Sequence, residues 1–478
     1  MTQINIEPHQ SEPQGLLSLF EKRKKIYPAR VSGNFRRLKW GFMAVLLGLY
    51  YILPWVRWER GEGAPDQAIL VDTINRKFYF FFIELWPQEV YYFTGLLLLA
   101  ALGLFFITTL FGRVWCGYAC PQTVWTDLFQ LIERRIEGDR IKRQRLDAGP
   151  WTINKVTRKI IKHTLWLLVG LCTGGAWVFY FQDAPTLWAD MLSGQLYFIP
   201  TFWMIFLTFS TYLMAGFARE QVCTYMCPYA RFQGAMFDEE SLIVSYDKTR
   251  GEPRGKAGEG GDCIDCNRCV AVCPTGIDIR NGQQYQCINC ALCVDACNAI
   301  MDKLGQARGL IRYNTFHNTV SGSSSLKNLF KTVRFIRPRT IFYLAIINVV
   351  GWTMLYGLLT RPLMDINVIR ARNPLFITLS NGDIRNAYTV HIVNKTWQHQ
   401  TYTLSTNHTT GTIFIPDVTG KAHQVDVSVK PGKVGTFRLL VDRPYTQSSG
   451  TIPLTITAKT PKFEDSYNST FIMPTETN

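Results

Sequence analysis

Eight of the thirteen cysteines fall into two runs of one spacing. Cys263-Ile-Asp-Cys266-Asn-Arg-Cys269-Val-Ala-Val-Cys273-Pro274 reads C-x2-C-x2-C-x3-C-P, and Cys287, Cys290, Cys293 and Cys297 repeat it with Asn298 in place of the proline. Three cysteines two residues apart wrap three corners of an iron–sulfur cubane, and the fourth, leaving on the next helical turn, reaches the other cluster. The spacing therefore predicts two [4Fe–4S] clusters, one held by Cys263, Cys266, Cys269 and Cys297, the other by Cys287, Cys290, Cys293 and Cys273. Zinc sites use pairs of cysteines, not two runs of four in this register. Such clusters carry single electrons and do not by themselves define a substrate.

Two further pairs share another pattern. Phe111-Gly-Arg-Val-Trp-Cys116-Gly-Tyr-Ala-Cys120-Pro121 and Phe217-Ala-Arg-Glu-Gln-Val-Cys223-Thr-Tyr-Met-Cys227-Pro228 each follow an apolar stretch with an aromatic residue, an arginine and C-x3-C-P. This is an internal repeat. The i, i+4 spacing is expected to set both sulfurs of a pair on one helical face, with the proline discouraging continuation in the same register. Two such turns facing each other would offer four thiolates, Cys116, Cys120, Cys223 and Cys227, at the membrane surface. Neither pair has the upstream C-x2-C of a cluster run, so a third ferredoxin-type cluster is not implied. Soft thiolates suit Cu(I) or zinc, and Met226 could add a thioether. Plain packing is the competing role for these cysteines and for Met226, and Cys172 reads as a small packing hydrophobe.

Absences narrow the chemistry. The apolar stretches hold one histidine, His163, so bis-histidine haem has no ligands there, and no C-x-x-C-H marks an attached c-type haem. The Gly-rich piece Arg250–Asp262 lacks G-x-G-x-x-G order and follows no strand, so it reads as a linker, as does Ser321–Ser325.

Long uncharged segments must carry these sites. Trp40–Val56, Val90–Gly112, His163–Gln182, Met191–Ala218 and Thr340–Thr360 lack charge and approach or exceed the roughly 20 residues that cross a bilayer. Pro200 makes the first residues of the fourth a loop, and Phe78–Ile83 is short enough to read as interfacial or re-entrant. Glu21–Lys39 carries eight basic residues, among them Lys22-Arg23-Lys24-Lys25, and Arg113–Lys162 carries eleven. Arg57–Glu89 carries four against six acidic ones, and Gln182–Asp190 none. The asymmetry predicts a cytoplasmic N-terminus and cytoplasmic clusters, with the C-terminus outside. No signal peptide precedes the first span. The net charge of +15 is then mostly a positive-inside signature, which argues against nucleic acid as a partner.

From about Pro362 the pattern turns to short alternating runs such as Tyr388–Val393, Val425–Val429 and Phe437–Val441, divided by turns such as Ser380-Asn-Gly-Asp. About seven strands over roughly 115 residues predict an immunoglobulin-like β-sandwich. It holds no cysteine, and its Asn-x-Thr triplets at Asn394, Asn407 and Asn468 are incidental if the host is bacterial. The expected organisation is a basic segment 1–37, a four-helix region 38–230 of two C-x3-C-P hairpins, and an insert 231–338 with its ferredoxin-like part at about 255–305. A fifth helix 339–361 and a sandwich 362–478 complete it. The fold class is membrane α-helical with a 2[4Fe–4S] ferredoxin-like insert and an all-β C-terminal domain.

Over nearly its whole length the chain resembles the cytochrome c oxidase accessory proteins of the CcoG/FixG/RdxA type. Tyr27-Pro-Ala-Arg-Val-Ser-Gly, Phe35-Arg-Arg-Leu-Lys-Trp40, Trp86-Pro-Gln, Trp115-Cys-Gly-Tyr-Ala-Cys-Pro-Gln-Thr-Val-Trp125 and Ile132-Glu-Arg-Arg-Ile-Glu-Gly-Asp-Arg140 carry the resemblance. It implies a bacterial inner-membrane protein that serves assembly of cbb3-type oxidase by reducing Cu(II) to Cu(I), with Cys116, Cys120, Cys223 and Cys227 at the copper. The partners implied are the oxidase assembly machinery or copper-delivery proteins, with an unnamed cytoplasmic electron donor. Two alternatives stand beside this: a polyferredoxin subunit of a quinol-linked partner that binds no copper, and a non-redox assembly scaffold.

Overall fold

The computed structural model describes residues 25–474 apart from 62–63, 196, 257–259, 321–333, 408–410, 417–419, 421 and 446–449. Lys22, Arg23 and Lys24, the linker Ser321–Ser325 and part of the triplet at Asn407 lie outside the described residues.

The chain opens with α1 (Asn34–Ile52) and a small sheet of β1 (Ile69–Asp72), β2 (Lys77–Phe80) and β3 (Ile83–Leu85). There follow α2 (Tyr91–Phe111), α3 (Val114–Tyr118), α4 (Pro121–Glu137), α5 (Arg140–Ala148), α6 (Ile153–Val178), α7 (Ala184–Ser193) and α8 (Phe198–Thr211). The helix of α8 runs on through two π-helical stretches, Tyr212–Ala218 and Val222–Met226, before α9 (Pro228–Met236). Then come β4 (Leu242–Tyr246), α10 (Arg268–Val272), α11 (Leu292–Leu304), β5 (Ile311–Thr315) and α12 (Pro338–Thr360).

Among the described residues, four helical segments are long and apolar enough to cross a membrane: Asn34–Trp55, Pro87–Phe111, Phe198–Met226 and Pro338–Thr360. The third expected span falls in α6, which ends at Val178 after a basic first half, so its uncharged part from His163 is shorter than a span and it is not among the four. The fourth starts at Phe198 rather than Met191. Met191–Ser193 belong to α7, which Asp183 caps by accepting from the Thr186 N–H and which Gly194 closes in the left-handed region at φ 73°. Phe78–Ile83 is no further span but strand and turn: Lys77–Phe80 pairs with Ile69–Asp72 and, past Phe81 at φ 51°, with Ile83–Leu85.

By its contacts the chain divides into two units. The first comprises Met1–Leu47, Gly103–Gly174 and Ile205–Ile341. Its core gathers Val244, Tyr246, Ile279, Val294, Met301, Leu310 and Ile311 around Cys263 and Cys269, with β4 and β5 paired antiparallel from Leu242↔Thr315 to Tyr246↔Ile311. The face of α4 formed by Asp127, Gln130, Glu133 and Glu137 is buried although polar. Each carboxylate therefore needs a countercharge: Arg36 Nη1 lies 2.8 Å from Asp127, Arg143 and Arg219 lie 2.9 and 3.0 Å from Glu133, and Lys159 and Lys162 each lie 2.9 Å from Glu137.

The second unit comprises Gly48–Leu102, Gly175–Met204 and Phe342–Asn478. Its C-terminal part is a two-sheet sandwich built from β6 (Met364–Arg370), β7 (Ile377–Thr378), β8 (Ile384–Asn394), β9 (Gln400–Thr406), β10 (Thr412–Phe414), β11 (Gln424–Val429), β12 (Val434–Arg443), β13 (Thr451–Lys459) and β14 (Glu464–Ile472). One sheet runs β10-β12-β8-β6 with β7 on β8, and the other runs β11-β9-β13-β14. Alternate residues such as Val390, Ile392, Leu404, Val425, Val427 and Leu439 fill the core between them. The seven expected strands correspond to β7–β13. The two unexpected ones, β6 and β14, bracket them: β6 alternates, burying Met364, Ile366 and Val368, while β14 carries a mostly polar sequence, Glu464–Ile472.

Candidate redox site

Both ferredoxin runs curl by the same backbone device. Asp265 and Asn267 flank Cys266 at φ 48° and 52°, and Asn289 and Ala291 flank Cys290 at φ 52° and 55°. Left-handed residues alternating with ordinary ones turn successive N–H groups inward, the concave nest that suits an anionic iron–sulfur centre. One small cavity is lined by Cys263, Cys266, Cys269 and Cys297. Another is lined by Cys273, Cys287, Cys290 and Cys293, and by Cys269, which lines both. Each cavity thus takes three cysteines of one run and the last of the other, a donor set that fits a cubane. Among the described residues no group of three Cys, His, Asp or Glu is placed to hold a single metal ion. Cubane ligands need no such closure, since each thiolate binds a different iron.

The C-x3-C-P pairs are built differently from the expectation. Cys116 lies within α3, but Cys120 is extended (φ −59°, ψ 129°) and caps the start of α4, whose first residue is Pro121. Cys227 is likewise extended (φ −81°, ψ 110°) before Pro228 opens α9, while Cys223 lies in the last π-helical stretch. The two sulfurs of a pair therefore do not share one helical face. The cause is proline, which excludes the preceding residue from the helical region and suits the first position of a new helix.

Both hairpins nevertheless converge. Gln122 Nε2 donates to the Met214 and Arg219 carbonyls at 2.9 and 3.1 Å, tying the start of α4 to the second hairpin. Cys116, Cys120, Cys223 and Cys227 lie within electrostatic reach of one another, but no three of them are close enough to hold one metal ion. Cys223 lines a small cavity with Pro274, Thr275 and Ile288, residues of the cluster runs.

The first hairpin lies directly on the second cluster run. A Cβ at Gly117 would meet the Ile288 carbonyl oxygen at 2.7 Å and the Cys290 Cα at 3.1 Å. Tyr118 Oη donates to the Cys290 carbonyl at 3.2 Å, and Cys116 packs with Ile288, Cys290 and Leu292. Gln233 Oε1 accepts from Arg113 Nε at 3.0 Å and from Cys116 Sγ at 3.2 Å, while Arg113 also donates to the Tyr285 carbonyl. Burial pushes the thiols of Cys116 and Cys269 up to about 11, and those of Cys287 and Cys297 up to about 12. These thiols keep their protons until a bound metal's charge displaces them.

Comparison with known proteins agrees with this build. A 4Fe-4S dicluster domain model matches residues 218–260 and 254–316, and a 4Fe-4S binding domain model matches residues 93–138. The model for the IG-like fold at the C-terminal of FixG matches residues 354–474. Nitrogen fixation protein FixG of Rhizobium meliloti is 45% identical over 459 residues, 89% of this chain and 88% of its own. Protein RdxB of Cereibacter sphaeroides is 53% identical over 81% of this chain and 83% of its own, and protein RdxA of the same organism 46% over 91% and 93%. The chain belongs to the FixG/CcoG/RdxA family. It is an iron–sulfur electron-transfer protein of oxidoreductase type with helices suited to a membrane.

In this FixG-family protein several residues that shape the site carry no cysteine signal. Gly117 admits the close approach, Gln233 and Arg113 hold Cys116, and Asn289 Nδ2 donates to the Leu242 carbonyl at 3.2 Å to pin the second run on β4. Only Arg113 and Gly117 lie inside the repeated motif. Gln233 and Leu242 are brought in by tertiary packing. Met226 and Cys172 are exposed, so neither packs in the interior as expected. The Gly-rich piece is more than a linker at its described ends, where Arg250 pairs with Asp262 and the Gly261 N–H donates to the Pro253 carbonyl at 2.9 Å.

Proposed function

We propose that the protein reduces Cu(II) to Cu(I) for the assembly of a cbb3-type oxidase at the hairpin cysteines Cys116, Cys120, Cys223 and Cys227, which close around the ion only as it binds. The supporting observation is the seat of the first hairpin on the Ile288–Cys290 backbone, which leaves no room for an intervening side chain at Gly117. In this reading Cys263, Cys266, Cys269 and Cys297 hold one [4Fe–4S] cluster, and Cys273, Cys287, Cys290 and Cys293 hold the other. Bound clusters give up electrons singly, and each Cu(II) ion takes one to become Cu(I). The four hairpin thiols favour the product, because soft sulfur ligands stabilise Cu(I) over Cu(II). Arg113 and Gln233 fix the Cys116 thiol, and burial keeps bulk water from it. In this reading the N-terminus and both clusters face the bacterial cytoplasm and the sandwich the opposite side of the inner membrane, an orientation supported by the basic segments before α1 and around α4–α6. Its partners are copper-delivery or oxidase-assembly proteins, with a cytoplasmic electron donor. Replacing Cys116 and Cys120 by serine is expected to abolish copper reduction at full iron content; undiminished reduction sinks the proposal.

One observation favours a second reading. The 4Fe-4S models extend over residues 93–138 and 218–260, which contain the hairpin cysteines. In that reading the four cysteines hold iron and the protein is a polyferredoxin. The same variant separates the two, since it would then lose iron rather than keep it.

A further inference from the structure

At the N-terminal end of α1 lies a cavity of about 580 Å³ lined by Arg30, Arg36, Arg37, Arg134 and Arg135, with Trp40 beside them. Its volume is that of a ligand cleft rather than a packing gap. Five guanidiniums meet one lining carboxylate, Asp139, whose Oδ1 already accepts from the Arg30 N–H at 2.9 Å. A positive-inside signature alone asks only that basic groups reach water. Arg36 does the opposite: it is 7% exposed, its Nη1 lies 2.8 Å from Asp127, and its buried Nη2 has no partner among the described residues. An unpaired buried guanidinium nitrogen is costly. Arg134, 3.7 Å from the same Asp127 oxygen, is also largely buried, and burial and then the charge of Arg36 push it down to about 10. One interior carboxylate thus serves two buried arginines.

We propose that this cavity is a binding site for a phosphate-bearing anion, supplied by the headgroup of an anionic phospholipid. The planar donor fork of arginine matches phosphate oxygens. The cavity lies at the end of the membrane-crossing segment Asn34–Trp55, at the depth of headgroups. Trp40, whose ring lies 5.1 Å from the Arg36 guanidinium, is the residue type that marks that depth. Basic pockets beside spans take such headgroups. The backbone N–H of Arg36 donates to Asp295 Oδ2 at 2.8 Å, and Asp295 stands between Cys293 and Cys297. A bound headgroup would therefore hold the residue that docks α1 onto the second cluster run.

The test uses full-length protein in detergent, loaded with phosphatidylglycerol or phosphatidylcholine and read by native mass spectrometry, with inorganic phosphate as the soluble competitor. Arg37 and Arg135 are both exposed, so R37Q/R135Q is expected to fold with full iron content. Lys142 is exposed and outside the cavity lining, which makes K142Q the control. Wild type and K142Q are expected to retain one phosphatidylglycerol in preference to phosphatidylcholine, and R37Q/R135Q to retain it about tenfold less. Retention without headgroup preference, or equal retention by all three proteins, overturns the site. Tight inorganic phosphate binding with no retained lipid overturns the phospholipid as its source.

Discussion

Gly117, between the two cysteines of the first hairpin, faces the Ile288 carbonyl so closely that an added Cβ would lie 2.7 Å from the oxygen. Ile288 itself sits between two cysteines of the second cluster run, Cys287 and Cys290. Because the clashing atom is backbone, no side-chain rotation relieves the contact.

Gly117→Ala is therefore expected to push α3 off the cluster run, at a cost of about 1–3 kcal/mol. Iron content should stay full while copper reduction slows on the order of tenfold to a hundredfold, as small misplacements of reacting groups do. Stopped-flow reduction checks this, and an unchanged rate would remove the contact from the pathway.

Cys297→Ser and Cys273→Ser test the interleaving. Each is expected to empty the cavity fed by the opposite run, so each protein keeps about half its iron. Iron analysis with electron paramagnetic resonance should show a different surviving cluster in the two variants. Cys297→Ser should lose the signal that Cys263→Ser loses, and Cys273→Ser the signal that Cys287→Ser loses; the reverse matching would mean that each run holds its own cluster.

The buried carboxylates of the first unit set its acid limit. Burial alone would raise Asp127 and Glu133, but Lys39 and Arg36 around Asp127, and Arg219, Arg143 and Lys162 around Glu133, hold both below the ordinary carboxylate range. A folded-state pKa below the unfolded value gives stability that is complete above about pH 4 and lost as pH falls further. Denaturation of the apoprotein followed by near-ultraviolet circular dichroism should show stability flat from pH 7 to about 5 and falling below 4. Glu133→Gln should cost about 3–5 kcal/mol at pH 7, because Arg143 and Arg219 lose their countercharge, and should flatten the acid slope.

The sequence displays ligands better than it displays what seats them. The cysteine spacings place the cluster residues because ligand geometry is local. The polar face of α4 was not legible, since Asp127, Glu133 and Glu137 look like a solvated helix face until Arg36, Arg219 and Lys162 arrive from distant segments. Cys120 and Cys227 misled in the other direction: an i, i+4 spacing reads as one helix, while the following prolines start a second. In the sandwich, β14 was hidden because its strand is mostly exposed, with Phe471 alone fully buried in the core.

That strand supplies a further test. Tyr388 on β8 is buried, and its hydroxyl donates to the Thr470 carbonyl on β14 at 2.8 Å, joining the two sheets. Tyr388→Phe removes the donor and should destabilise the sandwich by about 1 kcal/mol. Hydrogen exchange of the β8 and β14 amides should quicken while cluster absorption stays unchanged; unaltered exchange would make the bond dispensable.

The account rests on electrons reaching copper at the hairpin cysteines, and one titration tests that directly. Reduced protein, freed of excess reductant, is titrated anaerobically with Cu(II) while cluster oxidation and Cu(I) formation are recorded together. The account predicts one Cu(I) formed per electron lost from the clusters, and loss of the rapid phase in C116S/C120S at full iron content. Clusters that stay reduced in the presence of Cu(II), or a variant that reduces copper as fast as wild type, would contradict it.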